Sequence, residues 1–156
     1  MNATTLRPIL EQLVSGPPHT RALGFRLEAL EGRAVTLAVP YRPEFAGDPD
    51  SGVVAGGVVS TLLDHGCGMA VWAALERYQV IATLDMRIDY MRAAEPGLDV
   101  FARARCFKLT RSVAFVRAWA YDREVGDPVA AAQGCYMLNS DGRRKAGANL
   151  RPGAGR

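Results

Sequence analysis

Between Val53 and Leu75 the chain reads VVAGGVVSTLLDHGCGMAVWAAL, and within those 23 residues only Asp64 and His65 are ionisable near neutral pH, apart from a thiol. An ionised carboxylate in so apolar a segment costs several kcal/mol to desolvate unless partners offset it. Partial desolvation also makes a carboxylate a stronger base or nucleophile at neutral pH, which is why such groups gather at active sites. Asp64 is therefore the leading candidate for general-base or nucleophilic chemistry. The competing reading is a carboxylate on a polar rim, or one paired with an arginine such as Arg87. Successive helical residues diverge by roughly 100°, so His65 is assigned to the core or to an interface rather than to the same site.

A second element is the pair Gly56-Gly57 at the point where a loop becomes this helix. A helix N-terminus presents unpaired backbone N–H groups and a partial positive charge, and glycine lets a ligand come close to that backbone. A polarised carbonyl or an oxyanion is stabilised in such a place. Close helix–sheet packing is the alternative use of the same two glycines. Asp64 lies eight residues after Gly56, about 12 Å along a helix, so one chain does not easily bring both to one carbonyl. Two copies of the helix packed antiparallel do, which predicts an isologous homodimer with two shared sites.

The surrounding elements have to hold these groups. Leu6, Ile9, Leu10, Leu13 and Val14 follow the spacing of an amphipathic helix, with Thr4 or Thr5 as its cap and Gly16-Pro17-Pro18 as its end. Phe25 to Leu30 and Ala34 to Val39 alternate as two strands around a Glu31-Gly32-Arg33 turn. Tyr41 to Gly52 reads as a loop. After Tyr78 the period changes to two. Val80 to Met91, Leu98 to Leu109, Val113 to Tyr121 and Val129 to Leu138 are strand-like, separated by Glu95-Pro96-Gly97, Thr110-Arg111 and Gly126-Asp127-Pro128. The order favours an α+β domain with its helices on one face of an antiparallel sheet. Residues 1–20 are expected to form the N-terminal helix and linker, 21–139 the domain proper, and 140–156 a disordered basic tail.

The chain's 156 residues suit one core. A formal charge of +3, with its excess in Arg143, Arg144, Lys145, Arg151 and Arg156, lacks the basic stripe within the fold that a nucleic-acid binder shows. Asp64, His65 and four glycines inside the long helix argue against a membrane span. Three widely spaced cysteines, Cys67, Cys106 and Cys135, fit reduced thiols and not a zinc site. No metal and no cofactor are expected. The N-terminus does not match a signal peptide, and a cytoplasmic location is expected.

The segments GDPDSGVVAGGVVSTLLD at 47–64, ATLDMRIDYMRAAEPG at 82–97 and RSVAFVRAWAYD at 111–122 resemble the PaaI-type, or 4-hydroxybenzoyl-CoA thioesterase-like, branch of the hotdog superfamily. That resemblance implies an antiparallel sheet wrapped around a long central helix. It also implies hydrolysis of an acyl-CoA, aromatic or of short to medium chain, to the free acid and CoA, with coenzyme A entering only as part of the substrate. Members are similar in having a loop Asn, His-Gly-Gly at the helix start, and a carboxylate eight residues after the first glycine. The pattern puts the carboxylate on Asp64 and the carbonyl-polarising N–H on Gly56, with Gly57 beside it. A hydroxyl before the Asp-Met of the next strand falls on Thr83. Two positions depart from the pattern, Ala55 in place of His and Asp48 in place of Asn. Both bear on substrate binding, and a carboxylate at 48 near Asp64 raises the pKa of one of the two. For the CoA phosphates, Arg92, Arg103, Arg105, Lys108 and Arg111 are available, with Arg111 and Ser112 in their turn the best placed. The resemblance also implies a homodimer, assembled as a dimer of dimers. A hotdog domain that binds acyl-CoA without turnover is the alternative, and a dehydratase using His with a carboxylate ranks last.

Overall fold

The computed structural model describes the backbone of residues 3–138 and side chains from residue 6 onward. The tail expected at 140–156 lies outside the described residues. The elements in order are α1 (Ala3–Ser15), α2 (Pro18–Leu23), β1 (Arg26–Glu31), β2 (Ala34–Val39), a 3-10 turn (Pro43–Phe45), α3 (Gly56–Leu75), β3 (Ile81–Tyr90), β4 (Val100–Leu109), β5 (Val113–Tyr121) and β6 (Ala130–Leu138). One six-stranded sheet, ordered β1-β2-β4-β5-β6-β3 and antiparallel throughout, curls around α3. This is the hotdog fold that the sequence implies.

The wrapping is close because both surfaces are small. β4, β5 and β6 turn Ala102, Ala104, Ala114, Ala118, Ala120, Ala130 and Ala132 inward, all buried. α3 answers with Gly66, where an added Cβ would already touch the Ala104 and Ala102 methyls at 3.7 and 3.8 Å. Leu62, Leu63, Cys67, Met69, Ala70 and Val71 fill the rest of the core. The helix is long and apolar enough to cross a membrane by length and composition, and over half of it is buried inside the sheet.

Two local results differ from expectation. The sequence marks Gly16-Pro17-Pro18 only as the end of the first helix, yet Pro18 opens a second one, α2, closed by Gly24 in the left-handed conformation (φ 72°). Proline suits the first helical position, where its missing N–H would be unpaired anyway. α1 already runs from Ala3, ahead of the expected caps Thr4 and Thr5.

The edge strand β3 has a bulge. Its pairing with β6 shifts between Thr83 and Asp85, so Leu84 is one residue too many for its partner and the alternation changes phase. Ile81 and Thr83 pair with the inward positions Leu138 and Tyr136, and after the bulge Met86, Ile88 and Tyr90 pair with the inward Gly134, Ala132 and Ala130. Gly134 permits this, since a Cβ there would lie 2.7 Å from the Asp85 carbonyl oxygen.

Candidate active site

Asp64 sits midway along α3, on the face the sheet leaves open. It is exposed in the single chain, whereas the apolar segment around it predicts partial desolvation. Gly56, Gly57, Ser60, Thr61 and Asp64 form a stripe of small and polar residues on that one face, none of them fully buried. Arg87, the cation considered as its partner, pairs with Asp89 at 3.0 Å instead.

Two neutral donors hold the Asp64 carboxylate. Thr83 Oγ1 donates to Oδ1 at 2.9 Å. The second donor is Tyr136 on β6, whose hydroxyl lies 2.9 Å from the same oxygen and 2.8 Å from the Asp64 backbone carbonyl. Sequence reasoning missed it. The available signal was a tyrosine at an inward position of an alternating strand, where a buried hydroxyl needs a partner. Burial, and then the neighbouring Cys67 and Asp64, push the Tyr136 phenol well above its ordinary pKa, so it stays a donor. Among the described residues Oδ2 accepts no hydrogen bond, and Asp64 lines an open cleft.

Gly56 and Gly57 begin α3, and the N-cap Ala55 makes no side-chain cap. The first N–H groups of a helix have no intrahelical acceptor, so those of the glycines point out of the helix end. A Cβ on Gly57 would meet nothing within 4 Å, and one on Gly56 would meet only the Tyr90 side chain at ordinary contact, 3.5–3.7 Å. Close packing against their own sheet is therefore not what these two glycines provide.

The other implied residues spread out. Asp48 lies in the exposed loop, where Ser51 Oγ and the Asp50 N–H donate to it. Those bonds, that of Ser51 first, hold its carboxyl below its ordinary pKa, the opposite of what a nearby Asp64 would do. Arg111 and Ser112 form the exposed β4–β5 turn, at the end of the sheet where β3 begins; the Ser112 carbonyl accepts the Leu138 N–H at 2.8 Å. Arg92 is removed from the CoA-binding candidates, because it makes a two-pronged bond to Asp122 at 2.8 and 2.6 Å, and Arg103 is held by Glu31. Arg105, Lys108 and Arg111 have no ion pair among the described residues. Met69 lies in the core and Trp72 packs against it, and Trp72 Nε1 donates to the Gln79 carbonyl.

A cleft of about 390 Å³ opens beside Asp64, lined by His19 and Thr20 of α2, Ser60, Thr61, Asp64 and His65 of α3, and Met86 and Ile88 of β3. His65 thus borders the same cleft as Asp64 despite its different heading. Its ring packs on Phe25 with centroids 5.9 Å apart and bonds the Leu13 backbone. Burial lowers its pKa, so the imidazole is neutral. Among the described residues there is no group of three or more His, Cys, Asp or Glu side chains able to hold a metal ion.

A six-stranded antiparallel sheet wrapped around one long helix defines the hotdog architecture. A family model of the thioesterase superfamily matches residues 51–129, just over half of the chain, and the chain belongs to that superfamily. Among its relatives is the medium/long-chain acyl-CoA thioesterase YigI of Escherichia coli K12, 28% identical over 146 residues that cover 85% of this chain and 93% of that one. A Pseudomonas aeruginosa protein of known crystal structure is 39% identical, with a TM-score of 0.78, over 85% of this chain and 98% of the other. An asparagine-to-aspartate variant of the phenylacetic acid degradation protein PaaI from Thermus thermophilus is 26% identical, with a TM-score of 0.67, over 78% of this chain and 98% of that one.

Proposed function

We propose that this chain hydrolyses a small acyl-CoA, aromatic or of short to medium chain, in the manner of the PaaI-type branch. Asp64 Oδ2 acts as general base on water or as nucleophile on the carbonyl, and the N–H of Gly56, flanked by Gly57, polarises that carbonyl. The observation that carries this reading is the placement of both hydroxyl bonds on Oδ1. Neutral donors orient a carboxylate without neutralising it as an ion pair would, and they leave the second oxygen free to react. The polar end of CoA, in this reading, meets Arg111 and Ser112.

The site takes its two halves from two copies. Gly56 and Asp64 stand about 12 Å apart on one helix. β3 is a ten-residue edge strand whose outer side is unpaired, with Leu84 exposed on it and Val80 and Met91 exposed at its two ends, and a long unpaired edge invites strand pairing. A two-fold axis near the middle of β3 sets the Thr83 end of one copy beside the Tyr90 end of the other, so the Asp64 of one copy meets the Gly56 of the second.

Asp64→Asn tests the chemistry against a panel of aromatic, short-chain and medium- to long-chain acyl-CoAs. Turnover is expected to fall by about 100-fold or more with binding retained, since general-base catalysis alone contributes that much. A fall of less than about tenfold makes Asp64 structural. Tight binding with no turnover by the unmodified chain points instead to a non-catalytic acyl-CoA-binding domain, a possibility raised by alanine at 55.

Mixing tests the sharing. Asp64→Asn and Gly56→Pro homodimers are both expected to be inactive, proline being tolerated in a first helical turn. A hybrid holds one site with both defects and one with neither. Random exchange at equal amounts makes about half of the dimers hybrid and returns about a quarter of full activity, by two-fold symmetry. Parental activity after exchange has been confirmed by mass spectrometry places the whole site within one chain.

A further inference from the structure

The start of α3 poses a mechanical problem. An oxyanion site works only if its N–H groups are held in fixed directions before the reaction. Here they belong to two consecutive glycines, the residues with the most backbone freedom, behind an N-cap that bonds nothing with its side chain. Ser60 Oγ and Thr61 Oγ1 bond the Gly57 carbonyl at 3.0 and 2.8 Å, but they belong to the same helix and move with it.

Among the described residues one side chain from another element bonds this pair. The Tyr90 hydroxyl, at the end of β3, donates to the Gly56 carbonyl oxygen at 2.8 Å, and its ring lies against the Gly56 Cα. A carbonyl oxygen has two lone pairs, so this bond is made in addition to the helix's own. It acts on the peptide unit that joins Gly56 to Gly57. It fixes the plane of that unit, and a bond accepted at its oxygen strengthens its N–H as a donor.

We propose that Tyr90 is a positioning residue for the thioester carbonyl. It holds the glycine pair from the facing strand where this chain has Ala55 instead of a larger supporting side chain. The inference rests on the hydrolase reading above. Core packing does not account for Tyr90, which is 51% exposed and buries little surface that a phenylalanine would not bury equally. Its hydroxyl is aimed at the peptide unit that carries the Gly57 N–H and adjoins the Gly56 N–H assigned to the carbonyl.

The test uses the full chain with Tyr90→Phe, which keeps the ring, and Tyr90→Leu, which removes it. Loss of one such bond is expected to lower kcat about tenfold, with KM for the acyl-CoA changed less than about twofold and an unchanged near-UV circular dichroism spectrum. In protein labelled with 15N-glycine, the Gly57 amide signal should move in Tyr90→Phe, because its peptide has lost the bond at its oxygen. That signal is independent of activity. Tyr90→Leu should cost little more than Tyr90→Phe if the hydroxyl carries the effect. Unchanged kcat in Tyr90→Phe, or a loss seen only with leucine, overturns the proposal and leaves Tyr90 as packing. If Asp64→Asn keeps its activity while Tyr90→Phe shifts the Gly57 signal, the hydrolytic reading has failed and the bond itself has not.

Discussion

Asp64 and Asp122 are both aspartates held by hydrogen bonds, and they are held in opposite ways. The Asp122 side chain is 1% exposed and bonded by both prongs of Arg92, with a further bond from the Glu95 N–H. Arg92 first, and the backbone bond after it, hold its carboxyl far below the ordinary range. Asp64 is exposed, bonded by two neutral hydroxyls, and has an oxygen to spare. A carboxylate whose lone pairs are all taken by a cation and an amide is a strut that ties the loop after β3 to the end of β5. One that borders an open cleft and has an oxygen without a donor can accept a proton or attack a carbon. The number and charge of the donors separate the two, together with burial.

The comparison can be broken by exchanging the outcomes of parallel substitutions. Asp64→Asn has the largest expected effect, the loss of about 100-fold or more in turnover described above, and it should leave the melting temperature nearly untouched. Asp122→Asn should do the reverse. Breaking a buried pair costs about 3 kcal/mol or more, read as a fall in the midpoint of urea unfolding, with kcat per folded molecule unchanged. Because the folded pKa of Asp122 is depressed, its contribution is fully present above the unfolded value of about 3.9 and is lost as pH falls from there toward the folded value. The stability gap between the natural chain and Asp122→Asn should therefore be widest near pH 7 and shrink below about pH 4. A gap that is flat with pH would mean that the ion pair is not what Asp122 contributes.

A smaller effect sharpens the Asp64 side. Tyr136→Phe removes one of the two donors on Oδ1 and should lower kcat by about tenfold, the value of one hydrogen bond to a charged group. Unchanged kcat in Tyr136→Phe would assign Tyr136 to packing alone.

Much of this was legible in the sequence. The change of period after Tyr78 yields four strands at the observed places, and Thr83, a residue that the resemblance names, bonds Asp64. What escaped depended on contacts between distant positions. Apolar residues on nearly every face of α3 suggested uniform burial, whereas the glycines, Ser60, Thr61 and Asp64 had already marked the face that stays open. Arg92 counted as an available cation because nothing local reveals that Asp122, 30 residues on, will occupy it. Tyr136 counted as one strand residue among others because its partner is 72 positions away. Whether the face that carries Asp64 is covered depends on where the sheet stops.

The bulge at Leu84 has a further consequence, concerned with counting. Thr83 and Tyr90 are seven residues apart, an odd separation, and on a regular strand such residues point to opposite sides. The extra residue puts both hydroxyls on the side of α3, one at Asp64 and the other at Gly56. The spacing thus carries information that neither side chain carries alone, and Gly134, which makes room beside the bulge, is a silent part of the same instruction. A chain keeping all of these side chains but lacking one residue between Thr83 and Tyr90 would spell nearly the same motif, and would turn one of its two hydroxyls away from the helix. Insertions and deletions in β3 are therefore the changes by which this strand would lose its function with the least visible change in its composition.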